Sequence, residues 1–309
     1  MTIAITHTGH VNHNRFVLLD LRKSRPLADT TLGAISQKMC KETACDDLIV
    51  IDRSRKANAR MRVFGADARE ADFCGNGSLL ALDVLFGEQQ EDLKTGSQIN
   101  LETRVGTKTG FYKFGAGQYI QFGKVTNADT AIPNLNIDPD ALQMAAAWQA
   151  RVVGFRIAGE PHLILMRDAT SDNPLRDQAQ FELLAENIFN SVAYDGGVNI
   201  TIIMNQIQDC VEVMTFERGV RRLTQSCGSG AIAVASFLSD QSQSGRLLTI
   251  ESRGGQHRVE VLEVGGTILL SGDVIRNTQN KNIANSILTN RFPHVVFEKS
   301  QGLRSNLHC

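Results

Sequence analysis

Short apolar runs and stretches of strict alternation follow one another along the chain in an order that occurs twice. Residues 16–20 form an apolar run with the length of a buried strand, so residues 1–20 read as a first strand interrupted by a polar loop. Residues 32–41 read as a helix, and 46–52 as a strand with an acidic cap at each end. Residues 60–64 alternate polar and apolar, as a half-buried strand does, and Gly65, Ala66 and Asp67 turn the chain. A helix at 79–86, a strand at 98–103, a turn at Gly106 and a hairpin at 111–122 around Gly115 and Gly117 complete the first half.

From 125 to 150 the chain turns polar and carries a proline, and a domain junction is placed there. The grammar then recurs. Strands at 152–157 and 163–166 flank a turn at 159–162, a helix covers 181–189, and strands cover 198–204 and 211–216. After a turn at Glu217, Arg218 and Gly219 come strand-like runs at 247–251, 258–264 and 268–271. The pattern predicts an α/β protein of two similar domains, 1–125 and 126–275. Residues 277–309, polar apart from Val295, Val296 and Phe297, read as a terminal extension, and part of 272–309 is expected to complete the first domain.

Two stretches anchor this repeat. Phe73-Cys74-Gly75-Asn76-Gly77 and Ser226-Cys227-Gly228-Ser229-Gly230 each run into an apolar segment, and each follows a strand-ending phenylalanine, Phe64 or Phe216. A Gly-polar-Gly turn lets the backbone approach a ligand, because no Cβ stands in the way. Opening into a helix, it presents free N–H groups and a positive dipole end suited to a carboxylate or phosphate. The same field favours the thiolate of a cysteine placed just before it. Alone, one such motif is a turn with a buried thiol; two at corresponding places point to cysteines facing each other across a substrate.

Composition narrows the field. The chain has 309 residues, 42% hydrophobic and 21% charged, enough for two domains with real cores. Its net charge of −1 gives no sign of a nucleic acid or anionic membrane as partner. The start has no signal-peptide pattern and no run is long enough to span a bilayer, so a soluble cytoplasmic protein is expected. None of the cysteines at 40, 45, 74, 210, 227 and 309 forms a C-x-x-C pair, which leaves zinc without support. Cys40, Cys45 and Cys210 read as structural thiols and Cys309 as a loose terminal one. His7, His10 and His13 read as a solvated loop rather than a metal site, and no metal is expected.

The motifs resemble those of diaminopimelate epimerase and its relatives, the cofactor-independent two-cysteine amino-acid racemases. The match runs over roughly residues 8–275. It takes in Asn14 with Phe16, the stretch 61–64 with Ala66 and Asp67, and Cys74-Gly75-Asn76-Gly77. It continues through the stretch 102–106, Pro161-His162, Gly197-Val198-Asn199, Glu217-Arg218-Gly219-Val220 and Cys227-Gly228-Ser229-Gly230. The resemblance implies two domains, each a barrel-like sheet around a central helix, with the site in the cleft between them. It implies no cofactor, a small amino-acid substrate and a homodimer. Cys74 and Cys227 would be the acid–base pair. The backbone at Gly75, Asn76, Gly77, Gly228, Ser229 and Gly230 would hold the α-carboxylate. Asn14, Asn199, Glu217 and Arg218 match family substrate-binding positions.

The departures are informative. Gly65 and Glu160 stand where diaminopimelate epimerases usually carry asparagines that grip the distal end of their substrate. Arg15 replaces an aspartate, Arg221 and Arg222 replace glycine and glutamate, and one extra residue precedes Cys227. The reacting end is intact while the distal end is altered. Glu160 suits a cationic or hydrogen-bond-donating side chain such as that of histidine. Diaminopimelate itself, another isomerase or dehydratase on the same fold, and a non-catalytic amino-acid-binding protein are the competing readings. His162 reads equally as a substrate contact or a structural hydrogen bond, Arg221 and Arg222 as a solvated face, and Trp148 as packing at the junction.

Two thiols fit the chemistry. Inverting a stereocentre removes a proton from one face and returns one to the other. A thiol, with an ordinary pKa of about 8.5, can serve as base on one side and acid on the other. Helix N-termini aimed at the carboxylate would stabilise the charge that develops there.

Overall fold

The computed structural model describes residues 2–3, 5–89, 92–114, 116–122, 126–127, 139–157, 160–167, 178–191, 197–264, 266–277 and 295–296. Two halves share one order of elements. In the first, strands Ile5–Val11 and Asn14–Asp20 form a hairpin. Helix α1 (Asp29–Thr43) leads to Asp47–Asp52, which lies parallel to Asn14–Asp20. Ala59–Gly65 returns antiparallel, and α2 (Gly75–Gly87) follows. Gln98–Thr103, Gly106–Lys113 and Gly117–Phe122 complete the half.

After α3 (Pro139–Ala147) the second half repeats the scheme. Ala150–Ile157 and Pro161–Arg167 pair as a hairpin, and α4 (Gln178–Ser191) leads to the parallel strand Asn199–Ile207. Cys210–Glu217 returns and α5 (Gly228–Ser242) follows. Arg246–Ser252, Gly255–Val261 and Ile268–Gly272 close the half.

The halves are stitched together at three seams. Gly117–Phe122 pairs antiparallel with Ile268–Gly272. Thr126–Asn127, leaving the first half, pairs with Ala150–Ile157 of the second. Val274–Asn277, leaving the second half, pairs back onto Ile5–Val11. That last approach is close: a Cβ on Gly9 would sit 2.7 Å from the Ile275 carbonyl oxygen, so glycine is required there.

The two pairs of helices do different work. α1 buries one stripe, Leu32, Ile35 and Met39, against the outside of its sheet, with Asp29 in its first turn and Lys41 in its last, each favourable to the helix dipole. α4 does the same with Phe181, Leu184 and Ile188. α2 and α5 are buried on nearly every face, as the apolar runs in the middle of each require. Their side chains share one core with strands of both halves, including Ile49, Leu101, Leu248 and Leu270.

Several boundaries depart from the sequence expectations. Both central helices begin at the glycine after the cysteine, so α2 starts at Gly75 rather than 79. The polar segment at 12–13 is a tight turn with Asn12 and His13 at positive φ, and His7 and His10 lie in a strand rather than a solvated loop. Pro161 and His162 belong to a strand and not to a turn, because His162 pairs with Arg156 on one side and Asn199 on the other. α3 forms inside the stretch taken as a polar junction, while 128–138 lies outside the described residues. Trp148 packs against Phe181 within the second half's outer core, ring centroids 6.4 Å apart. Of the terminal extension, only Asn277 and the pair Val295–Val296, parallel to Thr2–Ile3, are described.

Candidate active site

Cys74 and Cys227 occupy the N-cap positions of α2 and α5 in near-identical conformations, φ −137°, ψ 116° and φ −131°, ψ 110°. Each sulfur accepts the backbone N–H three residues on, from Gly77 at 3.3 Å and Gly230 at 3.4 Å. Neither helix has an acidic residue in its first turn. No carboxylate of its own first turn offsets either positive helix end.

The two helices meet end to end. A Cβ on Gly75 would lie 3.6 Å from Gly228 Cα, and one on Gly228 would lie 3.0 Å from Asn76 Oδ1 and 3.3 Å from Asn76 N. This is the close approach that the glycines permit. Two positive helix ends converging on one point form a stronger anion site than either alone.

Sheet register brings further residues to the same place. In the first half Phe16 pairs with Asp47, and Asp47 with Gly65. In the second, His162 pairs with Asn199, and Ile200 with Phe216, which sets Asn199 opposite Glu217. Counting back two residues from Phe16 and from His162 makes Asn14 the counterpart of Glu160. Asp47 thus occupies in one half the place Asn199 holds in the other. The sequence pattern gave Asp47 only as a strand cap. Overlaying the two halves strand on strand is the signal that finds it.

The hydrogen bonds assign directions. Arg218 N donates to Asn199 Oδ1 at 2.9 Å, so the Asn199 amino group donates to His162 Nε2 at 3.3 Å. His162 therefore carries its proton on Nδ1, facing Thr201 Oγ1 at 3.4 Å. Ser229 Oγ lies 2.9 Å from the same Nε2 and 3.4 Å from Cys227 Sγ. Burial, aided by the Arg218 charge, pulls the His162 pKa down to about 3, which keeps the ring neutral. The Arg218 guanidinium donates to the Glu160 carboxylate and to the Gly197 carbonyl. Asn14 donates to Asp46 Oδ2 at 2.9 Å and accepts from Asn76 Nδ2 at 3.2 Å. Arg221 lies over the Phe189 ring, half exposed, and Arg222 reaches across the halves to Asp46 at 3.2 Å.

No family model matches the chain. Among curated proteins it is 27% identical to the diaminopimelate epimerase of Erythrobacter litoralis over 250 residues, covering 80% of this chain and 86% of that one. It is 29% identical to that of Bacteroides thetaiotaomicron over 275 residues, covering 88% and 96%. The chain is a homologue of the diaminopimelate epimerases. It is an isomerase of the racemase and epimerase kind. Among solved structures, a hydroxyproline epimerase from Agrobacterium vitis matches with a TM-score of 0.63 at 13% identity over 90% of this chain and 91% of that one. A phenazine biosynthesis protein of the PhzF family from Enterococcus faecalis matches at 0.61 and 14% over 90% and 98%. Those likenesses carry the fold of two similar domains and nothing finer.

In this epimerase homologue, burial first and neighbouring carboxylates second set the state of the thiols. Burial raises the Cys74 pKa, and the charges of Asp47 and Glu217 raise it further, against the pull of the Gly77 N–H. Burial likewise raises Cys227, with Glu217 adding to it and Ser229 and Gly230 opposing. A helix N-terminus is worth up to about 2 kcal/mol to a partly buried anion, roughly one and a half pH units. The helix ends pull against this rise, while burial beside carboxylates favours the neutral thiol at both cysteines. Burial also raises Asp47, with Glu217 and Asp46 contributing, and lifts Glu217 to about 7. Among the described residues, no group of three or more His, Cys, Asp or Glu is placed to hold a metal ion, and no helix is long and apolar enough to cross a membrane.

Proposed function

We propose that the chain is a cofactor-independent racemase or epimerase of a free amino acid, with Cys74 and Cys227 as its two acid–base groups. The observation that carries this reading is the convergence of two identically capped helix N-termini, each with its cysteine, on one point. The first-turn N–H groups at Asn76 and Ser229 hold the α-carboxylate and stabilise the negative charge that grows as the α-proton leaves. One sulfur takes that proton as thiolate, and the other, as thiol, delivers a proton to the opposite face. The sulfur that acts as base first gives its own proton to solvent, and charge balance favours that loss once the substrate binds. The substrate brings its own α-ammonium, which counters the field of Asp47 and Glu217.

The side chain of the substrate meets Glu160, Asp47 and Glu217, with Arg218 already paired to Glu160. With Arg218 engaged by Glu160, a lining rich in carboxyl oxygens favours a cationic or hydrogen-bond-donating group, such as imidazole. A second reading, epimerisation of diaminopimelate, draws on the names of the curated relatives. It requires Arg218 to leave Glu160 for the distal carboxylate.

One experiment separates them. Reduced protein in heavy water, without added cofactor, is offered histidine, arginine, lysine, serine derivatives and diaminopimelate, and α-proton exchange and chirality are followed. Exchange with inversion on a basic amino acid, weakened by Glu160→Asn, supports the first reading. Turnover of diaminopimelate, strengthened by Glu160→Asn, supports the second. Silence on the whole panel defeats both.

A further inference from the structure

His257 lies in strand Gly255–Val261 of the second half, on the face that also buries Val259 and Val261, and is 1% exposed. A histidine in an apolar row puts two polar ring atoms into the core, which is costly unless they are bonded. Its Nε2 lies 2.7 Å from Oδ1 of Asn76, the second residue of α2 in the first half.

The surroundings fix the direction of that bond. The Asn76 amino group faces acceptors: Asn14 Oδ1 at 3.2 Å, Ser226 Oγ at 3.1 Å and the Ser226 carbonyl at 3.5 Å. The opposite edge of the amide is therefore its carbonyl oxygen, which needs a donor, so His257 holds its proton on Nε2. Burial lowers the His257 pKa to about 4 and keeps the ring neutral. From there the bonds run one way, His257 to Asn76 to Asn14 to Asp46. Asp46 also receives Arg15 N and the Arg222 guanidinium. The network leaves the second half at His257 and rejoins it at Arg222.

The Asn76 oxygen is also near the first turn of α5, since a Cβ on Gly228 would lie 3.0 Å from it. Deprived of His257, the oxygen would need another donor, and the first-turn N–H groups of α5, which open beside Gly228, are candidates. Those are the groups assigned above to the substrate carboxylate.

We propose that His257 is a positioning residue that, by donating to Asn76 Oδ1, keeps the α5 N-terminus free for the carboxylate of the substrate. This rests on the carboxylate-binding reading of the helix ends. The test compares wild type, His257→Leu, which keeps the bulk and loses the donor, and His257→Gln, whose amide N–H reaches the same place. All three are first checked for folding by thermal melting. Nitrogen-15 NMR, which needs no substrate, is expected to show His257 as the neutral Nε2–H tautomer from pH 5 to 9. The Asn76 side-chain NH2 signals should move in the Leu variant and return in the Gln variant. In the racemase assay the Leu variant should raise KM about tenfold, with a smaller fall in kcat, as loss of one hydrogen bond implies. The Gln variant should recover most of that. A proton on Nδ1, a Leu variant with wild-type KM, or a Gln variant as poor as Leu each overturns the role. A wild type silent on every amino acid overturns the functional reading and this role with it, while the NMR still reports whether the bond exists.

Discussion

Cys74 Sγ and Cys227 Sγ stand in equivalent relation to their helices, each accepting the N–H of the glycine three residues further on. Equivalence of this kind suits a reaction that runs in both directions, in which each sulfur would be base for one enantiomer and acid for the other. It also makes the single variants informative. Cys74→Ala and Cys227→Ala are each expected to cut racemisation by 10²–10⁴-fold, the usual worth of one acid–base group. Each should leave binding of the amino acid within a few-fold of wild type. Calorimetric titration with substrate checks the binding, and a binding protein without catalysis would show no chiral change in any of the three.

Glu217 gives a pH signature. Burial holds its carboxyl at about 7, although the Thr224 hydroxyl bonded to it pulls the other way. Between an unfolded glutamate near 4.5 and this value, the folded chain keeps a proton that the unfolded chain has lost. The stability this group contributes is therefore complete below about pH 4.5 and is lost as pH rises through about 7. His162 and His257, both lowered, act in the opposite sense below about 6.5 and hide the trend in wild type alone. The difference between Glu217→Gln and wild type removes them. That difference in melting temperature is expected to move in favour of the variant from pH 5 to about 7 and to level off above it. A difference that does not change with pH would place the Glu217 carboxyl at its ordinary value.

Much of this site was legible because its parts are local. The Cys-Gly-x-Gly stretches at 74–77 and 227–230 carry their own turn, helix start and thiol, and the two copies announce the duplication. What escaped depends on partners far away in sequence. Asp47 is an ordinary strand-opening acid until register sets it opposite Phe16 and Gly65. His257 sits in a plain alternating strand, and its partner Asn76 is 181 residues away. Pro161 and His162 look like a turn because proline and a polar residue follow Gly159 and Glu160. Only pairing with the strands at Ala150–Ile157 and Asn199–Ile207 makes them strand.

The paired thiols also predict sensitivity to oxidation. A diazene oxidant such as diamide takes two electrons and two protons from a thiol pair and leaves a disulfide. Cys74 and Cys227, at the meeting point of the helix ends, are expected to cross-link, abolishing activity, and dithiothreitol should restore it. A second pair complicates the reading, since the sulfurs of Cys40 and Cys45 lie 3.1 Å apart under α1. Cys40 and Cys45 are buried whereas Cys74 and Cys227 are partly exposed, so an oxidant in solution reaches the latter pair first. Cys40→Ser should therefore leave the inactivation rate unchanged, whereas bound substrate should slow it. Mass mapping of alkylated peptides identifies the linked pair, and protection by Cys40→Ser would assign the effect to the other site.

The contact between helix ends is tested most sharply at Gly228. In the first turn of a helix, alanine in place of glycine is worth up to roughly 1 kcal/mol in propensity. Here the new methyl would meet Asn76 Oδ1 at 3.0 Å, Leu270 Cδ2 at 3.1 Å and Asn76 N at 3.3 Å. The leucine methyl can rotate away, but the Asn76 backbone is fixed in α2, and its side-chain oxygen is held by His257. Relief therefore comes from moving the helices apart, which costs about 1–3 kcal/mol where a core is overpacked. Gly228→Ala is thus expected to lower the melting temperature despite its better propensity. It should depress kcat/KM more than it depresses stability, because a few tenths of an ångström at the helix ends displaces both sulfurs from the α-carbon. Gly219→Ala serves as the control, since nothing lies within 4 Å of the Cβ it would add. A Gly228→Ala protein that melts and turns over like that control would show that the two helix ends are not in contact in solution.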